Sequence, residues 1–200
     1  MDHSSYPEIL PQLQSLGTER DYCGGETVFR MGDPARAVYC LLDGEVHLQR
    51  HGPDGAMVIL HRARQREFFA EASFGAKRYH CTALCVRPSR ILALPQRLLR
   101  ERLTDDVDFA LRWVALLSTQ LRRQRAAVER LQLRSAEARI RHFLLTEGAP
   151  PGELHLEFTL THWAALLGLT RECLYRTLAR MEARGEMRRT DNHFMLATTG

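Results

Sequence analysis

The residues of this chain best suited to chemistry lie between Leu160 and Arg184, in the segment LTHWAALLGLTRECLYRTLARMEAR. A short apolar run with Trp163, Leu166 and Leu167 stops at Gly168, and a second run follows with Leu174, Leu178 and Met181. This spacing predicts a helix, a tight turn and a second helix, with Gly168 supplying positive φ in the turn and Thr170 capping the second helix. Opposite the apolar stripe stand Arg171, Glu172, Tyr175, Arg176 and Arg180. Arginine pairs bidentately with guanine and glutamate accepts from cytosine, so these side chains on the first turns of an exposed helix have the chemistry to read base edges in a major groove.

A second constellation is KRYHCTALC, residues 77–85, preceded by Glu71. Tyr79, His80, Cys81, Thr82 and Cys85 fall close together there. His and Cys are soft ligands suited to a metal or a haem iron, and a thiolate is also a redox target. Alternation along a strand sets His80 and Thr82 on one face and Cys81 and Ala83 on the other, so His80 and Cys81 need not converge on one ion. Three readings stay open: core filling by Cys81 and Cys85 with His80 hydrogen-bonded, a haem or metal sensor, and an organic effector or none. Ser73, His80 and Glu71 form no hydrolytic set, because neither a nucleophile elbow nor a phosphate loop accompanies them, and an enzyme is not expected.

These groups need elements to hold them. The 200 residues, 44% of them hydrophobic, suffice for one large or two small cores, and a formal charge of +4 suits a polyanionic partner without demanding one. Cys23, Cys40, Cys81, Cys85 and Cys173 are odd in number and lack close C-x-x-C spacing, which excludes a disulfide scaffold and a zinc site. MDHSSYPEIL has no signal-peptide pattern and no apolar run is long enough to span a bilayer, so a cytoplasmic protein with no membrane partner is expected.

A weakly helical stretch with Ile9, Leu13 and Leu16 ends at Gly17. From Tyr22 to Leu94 short strand-like runs follow, at 27–30, 37–42, 45–50, 57–62, 80–86 and 90–94. MGDPAR, LDGE, GPDG and RPS separate them as expected turns, with GPDG (52–55) read as a hairpin tip. This predicts an antiparallel β barrel or sandwich. From Thr104 the period becomes helical, with Thr104 as the expected cap and Asp105, Asp106 and Asp108 favoured by the helix dipole. Val107, Ala110, Val114, Leu117, Leu121, Gln124, Val128 and Leu131 form a heptad seam. Such a seam packs on the chain's own core or on a second copy, and the charged remainder, LRRQRAAVERLQLR, favours the dimer. A helix at 135–146, the connector GAPPGE, an extended piece at 155–158 and two short strands around 190–192 complete the chain. The last pair forms the wing of a winged helix, with Arg188 and Arg189 in reach of phosphates.

In this order, a β domain containing GGETVFRMGDPARAVYCLLDGEVHLQR and FFAEASFG, a long heptad helix, and LTRECLYRTLARMEARG resemble the cyclic-AMP receptor protein and FNR family of transcription regulators over nearly the whole chain. The resemblance implies an α+β fold. Its parts are a β-roll sensor domain like the family's cyclic-nucleotide-binding domain (1–103), a dimerisation helix (104–134) and a winged helix-turn-helix DNA-binding domain (135–200). It also implies a homodimer on double-stranded DNA and contact with RNA polymerase. Arg171, Glu172 and Arg176 match the Arg-Glu pair and following Arg of the receptor-protein branch, which implies a TGTGA-like palindrome. In the family's nucleotide-binding members a Gly-Glu pair precedes an Arg that holds the cyclic phosphate, followed by a small hydroxyl residue. Here Ala70-Glu71, Cys81 and Thr82 occupy those positions. A buried anion without its charged partner loses much of its binding energy, so cyclic AMP is not the expected effector, and Arg78 or Lys77 are the candidate substitutes. The iron–sulfur cluster of the FNR branch needs several N-terminal cysteines, which Cys23 alone cannot supply.

Overall fold

The structure is a computed structural model that describes residues 5–52, 55, 57–63, 65–156 and 159–197. It divides into two compact units, Asp2–Leu116 and Leu117–Gly200.

The first unit opens with helix α1 (Ser5–Gln14), which buries Ile9 and Leu13, followed by strands β1 (Thr18–Tyr22), β2 (Thr27–Phe29), β3 (Ala37–His51), β4 (Met57–Ala63), β5 (Phe68–Phe69) and β6 (Thr82–Pro95). The sheet is antiparallel, ordered β1-β6-β3-β4, with β2 on β6 and β5 on β3. Two expected turns are absent. LDGE lies within β3 and RPS within β6, and the two strands run on past one another with register shifts between Leu41 and Val46. A close approach replaces the turns. Gly44, at φ +104°, lies so near Pro88 and Ser89 that a Cβ would collide with their backbone, while Ser89 Oγ accepts from the Glu45 amide at 3.1 Å. Bulged strands bend without ending, and glycine and proline mark the bend here. The GPDG tip contains Pro53 and Asp54, which lie outside the described residues.

Helix α2 (Gln96–Asp105), unexpected from the sequence, follows β6. It displaces the expected start of the long helix, because Thr104 sits in its last turn with Oγ1 donating to the Arg100 carbonyl at 3.0 Å. The cap of α3 (Val107–Gln132) is instead Asp106, whose Oδ1 accepts from the Phe109 amide at 2.9 Å. Asp106 has extended backbone, and its carboxylate satisfies an amide that helix geometry leaves free. Within the first unit α3 buries Phe109, Trp113 and Leu116, with Trp113 edge-on to Phe68 at 5.1 Å. That stripe is offset from the heptad seam. Val107, Val114, Leu121, Val128 and Leu131 stay between 51% and 70% exposed, and Leu117 is half-buried.

The second unit carries the rest of α3, then α4 (Ala136–Glu147), β7 (Glu153–His155), α5 (Leu160–Leu166), α6 (Arg171–Ala183), β8 (Met187–Thr190) and β9 (His193–Leu196). Ser135 caps α4, accepting from the Ala138 amide at 3.0 Å. β7, β9 and β8 form a small antiparallel sheet. Of the extended piece expected at 155–158, only His155 lies in β7, while Glu157 and Phe158 fall outside the described residues. Trp163 anchors this core, 4.8 Å from Phe194 and 5.6 Å from Phe143, and Leu167, Leu174, Leu178 and Met181 close it. Among the described residues no helix is long and apolar enough to cross a membrane.

Candidate nucleic-acid interface and effector site

The orientation of α6 follows from its ends. Thr170 has extended backbone and its Oγ1 accepts from the Cys173 amide at 3.2 Å, so the helix begins at Arg171, and Gly185 at φ +69° lies past its end. Burial of Leu174, Leu178 and Met181 turns Arg171, Glu172, Tyr175, Arg176 and Arg180 to solvent, as the apolar spacing predicts. The Arg171 guanidinium lies over the Tyr175 ring at 5.3 Å, which restrains it along the helix face. The Glu172 carboxyl is held below the usual range by its own backbone N–H, then by the Thr170 side chain and the Arg171 charge. It is therefore an acceptor only at neutral pH, which suits an amino donor on a base. Arg188 and Arg189 are exposed on β8, with Arg189 6.0 Å from the Phe194 ring.

One positioning residue carried no pattern in the sequence. Arg139, in the first turns of α4, donates through Nε to Leu133 O at 2.9 Å and through Nη2 to Leu131 O at 3.3 Å. Its Nη1 donates to Leu167 O at 3.0 Å and Gly168 O at 3.2 Å. One guanidinium thus ties the carbonyls at the end of α3 to the turn before α6. Arg130, almost wholly buried, braces the same region, with Glu147 at 3.4 Å and the Phe143 ring at 4.4 Å. On a helical wheel both arginines look like solvated charge, so nothing in the spacing sets them apart.

Gly168 makes the turn possible at φ +62°, and a Cβ there would stand 2.9 Å from Leu131 Cδ2 and 3.2 Å from Arg139 Nη1. Gly168→Ala is expected to destabilise this unit by about 1–2 kcal/mol from the left-handed backbone alone. Thermal unfolding of the variant measures it, and an unchanged midpoint would contradict the strain.

In the first unit the loop residues divide between structure and solvent. Tyr79 is a core residue. Its hydroxyl donates to Ala37 O at 2.9 Å and accepts from Ala37 N at 3.1 Å, and its ring stacks on Phe29 at 3.8 Å. Thr82 Oγ1 accepts from the Met31 amide at 3.0 Å. His80 is exposed with Nδ1 3.0 Å from Ser73 Oγ, and Ser73 is itself buried, so this pair orients the loop and presents no nucleophile. Lys77 and Arg78 are exposed, and Arg78 Nη1 is spent on Gly32 O at 2.6 Å.

Cys81, Ala83 and Cys85 alternate inward into the core. Burial pushes the Cys81 and Cys85 thiols up, and Cys40 to about 12, so at neutral pH they are protonated core side chains. Among the described residues no three His, Cys, Asp or Glu side chains are grouped to hold a metal ion. Glu71 is different. Its Oε2 is buried without a hydrogen-bond partner, and burial, followed by the Glu67 charge, raises its carboxyl against the lowering pull of its own backbone N–H and His61.

Residues 19–106 match the cyclic nucleotide-binding domain. The chain is 25% identical over 197 residues, covering 94% of its length and 86% of the other, to the CRP-like cAMP-activated global transcriptional regulator of Mycobacterium tuberculosis. It is 27% identical over 197 residues, covering 92% of its length and 76% of the other, to the nitrogen fixation regulation protein FixK of Azorhizobium caulinodans. Its fold is similar to that of FixK2 from Bradyrhizobium japonicum, with a TM-score of 0.65 at 22% identity over 91% of this chain and 93% of that one.

Proposed function

We propose, from the cyclic nucleotide-binding domain matched over residues 19–106 and the similarity of the chain to transcriptional regulators of the cyclic-AMP receptor protein and FNR family, that it is a member of that family, a cytoplasmic homodimer that reads a palindromic, TGTGA-like DNA site and acts with RNA polymerase. The observation that supports this reading is the solvent face of α6, where Arg171, Glu172 and Arg176 follow directly on the Thr170 cap. In this reading Arg171 and Arg176 pair with guanines and Glu172 accepts from a cytosine on the opposite strand, while Arg180, Tyr175, Arg188 and Arg189 hold the backbone. Two such helices related by a two-fold axis address half-sites about 34 Å apart. The two-fold contact is the seam of Val107, Val114, Leu117, Leu121, Val128 and Leu131.

The first unit acts as the sensor. The Mycobacterium relative is named as cAMP-activated, but Cys81 is a neutral buried thiol at the position where the phosphate arginine was expected, and the effector in this reading is not cyclic AMP. Whatever binds there acts by preferring the DNA-competent dimer over the other state.

A competition gel shift tests the DNA claim. The purified protein is expected to hold a TGTGA-type palindrome against an excess of random duplex at moderate salt, and Glu172→Ala to relax selectivity at one base pair per half-site more than it weakens binding overall. No preference for the palindrome, or an equal loss on every duplex, sinks the base-reading assignment.

A further inference from the structure

The carbonyls at the end of α3 are not closed by the helix itself, since the last four C=O groups of a helix lack an amide partner within it. The chain then leaves helical structure for three residues, 133–135, before α4 begins behind the Ser135 cap. A link that short fixes where α4 starts, but its φ and ψ angles leave the bundle that carries α6 free to swing. Side chains close the joint. Glu129 Oε2 lies 3.3 Å from His142 Nε2, and Arg130 Nη2 donates to Thr146 Oγ1 at 3.2 Å, so both reach α4. Arg139 reaches further, to the turn that precedes α6.

The Arg139 guanidinium spans two helix ends. On one side it takes Leu131 O and Leu133 O, and on the other Gly168 O and Leu167 O, the carbonyl of the residue that ends α5, all between 2.9 and 3.3 Å. A planar fork whose N–H groups point in fixed directions bridges two such sets at one spacing and one angle only. The turn also rests on α3, because Leu131 Cδ2 and Arg139 Nη1 are the atoms nearest to where a Cβ on Gly168 would stand. Leu131 is in addition the last apolar residue of the exposed heptad seam. The seam thus ends on the residue whose carbonyl and side chain seat the turn, and two residues past Gly168 the chain reaches the Thr170 cap of α6.

We propose that Arg139 is a specificity-determining residue of a kind that base contacts cannot supply: it sets the spacing between half-sites that the protein accepts. This rests on reading the protein as a dimer on a palindrome. One base pair added between the half-sites moves them apart by about 3.4 Å and turns one against the other by roughly 35°. With the clamp closed, each reader helix is fixed to the end of its own α3, so a changed spacer has to be met by bending or twisting the DNA, which costs energy. With the clamp open, the link at 133–135 absorbs the difference. Arg139 touches no base, so it acts on spacing and leaves the choice of bases to Arg171, Glu172 and Arg176.

Competition gel shifts with the full chain test it, on TGTGA palindromes whose spacer is shortened or lengthened by one base pair and on one with a guanine of each half-site replaced. The parent is expected to prefer one spacer over its neighbours by about tenfold or more, the scale of one hydrogen bond to a charged group. Arg139→Gln is expected to bring adjacent spacers within roughly threefold of one another. It is expected to keep the parent's discrimination against the replaced guanine, which also shows that the variant is folded. Arg139→Lys retains the charge without the fork and is expected to behave likewise. Arg134→Gln removes the same charge from an exposed position in the link and is expected to keep the parent's spacer preference. A merely structural role for Arg139 lowers affinity for every duplex in parallel, and that result overturns the proposal. An unchanged spacer preference in both Arg139 variants, or an equal relaxation in Arg134→Gln, overturns it too. A parent that holds the palindrome at any spacer overturns this proposal alone, whereas a parent with no preference for the palindrome over random duplex overturns the DNA reading as well.

Discussion

Arg176→Ala is expected to remove most of the preference for the proposed palindrome while leaving the protein folded. Arg176 is exposed on α6 and is not one of the residues of the Trp163 core, so its truncation empties no buried site. A bidentate arginine–guanine pair is worth about 1–3 kcal/mol of discrimination, and a two-fold dimer loses it twice, or about 2–6 kcal/mol, which is roughly 30-fold to 10⁴-fold in relative affinity. Arg188→Ala provides the contrast. An arginine that meets only phosphate weakens binding nearly uniformly across sequences and lowers the salt dependence by about one charge per protomer. Quantitative gel shifts on the palindrome, on a version with the matching guanine replaced, and on random duplex across a salt series distinguish the two. If Arg176→Ala instead weakens all three duplexes alike, Arg176 is a backbone contact and the half-site assignment is wrong.

The parts of the chain that could be read in advance are those where local signals agree. At Leu160–Arg184 the apolar spacing, the Gly168 break and the Thr170 cap all point the same way, and the structure has α5, a turn at φ +62° and α6 there. The wing strands were legible for the same reason, with turn residues between two short alternating runs. Legibility failed where tertiary contacts override a local cue. LDGE and RPS have turn composition, yet Gly44 and Ser89 are bulge residues in two long strands that pack against each other across the sheet. Thr104 has the side chain of a cap, but Asp106 takes that place because α2 extends through Thr104. Arg139 and Arg130 could not have been singled out, since their partners are backbone carbonyls and a ring brought in by the fold. In the sensor unit the alternation of Cys81 and Ala83 against His80 and Thr82 was readable, but the residues opposite them on β3 were not, because a cross-strand neighbour is set by register between distant segments.

The long helix offers the sharpest contrast between two apolar stripes on one element. The buried stripe of Phe109, Trp113 and Leu116 belongs to the first unit's own core, whereas Val114 and Leu121, only a few residues away, are 57% and 51% exposed. Trp113→Ala is therefore expected to cost about 3–5 kcal/mol of that unit's stability, the usual result of emptying a large aromatic site. Val114→Glu combined with Leu121→Glu is expected to cost the single chain almost nothing, since both carboxylates enter water. In the dimer the same pair places like charges across an apolar seam at adjacent heptads, where desolvation and repulsion both oppose association. Sedimentation of this double variant is expected to give a folded monomer with the helical circular dichroism of the parent. Its gel shift should retain only the affinity of one half-site. A double variant that remains dimeric would remove the seam as the two-fold contact, whatever the DNA result. One that unfolds would show instead that the seam is packed within the chain, which its exposure contradicts. The two outcomes for Trp113 and the seam diverge because the helix buries one stripe in its own unit and leaves a second, heptad-spaced stripe in water, and in the proposed dimer a second copy of the same helix covers that second stripe.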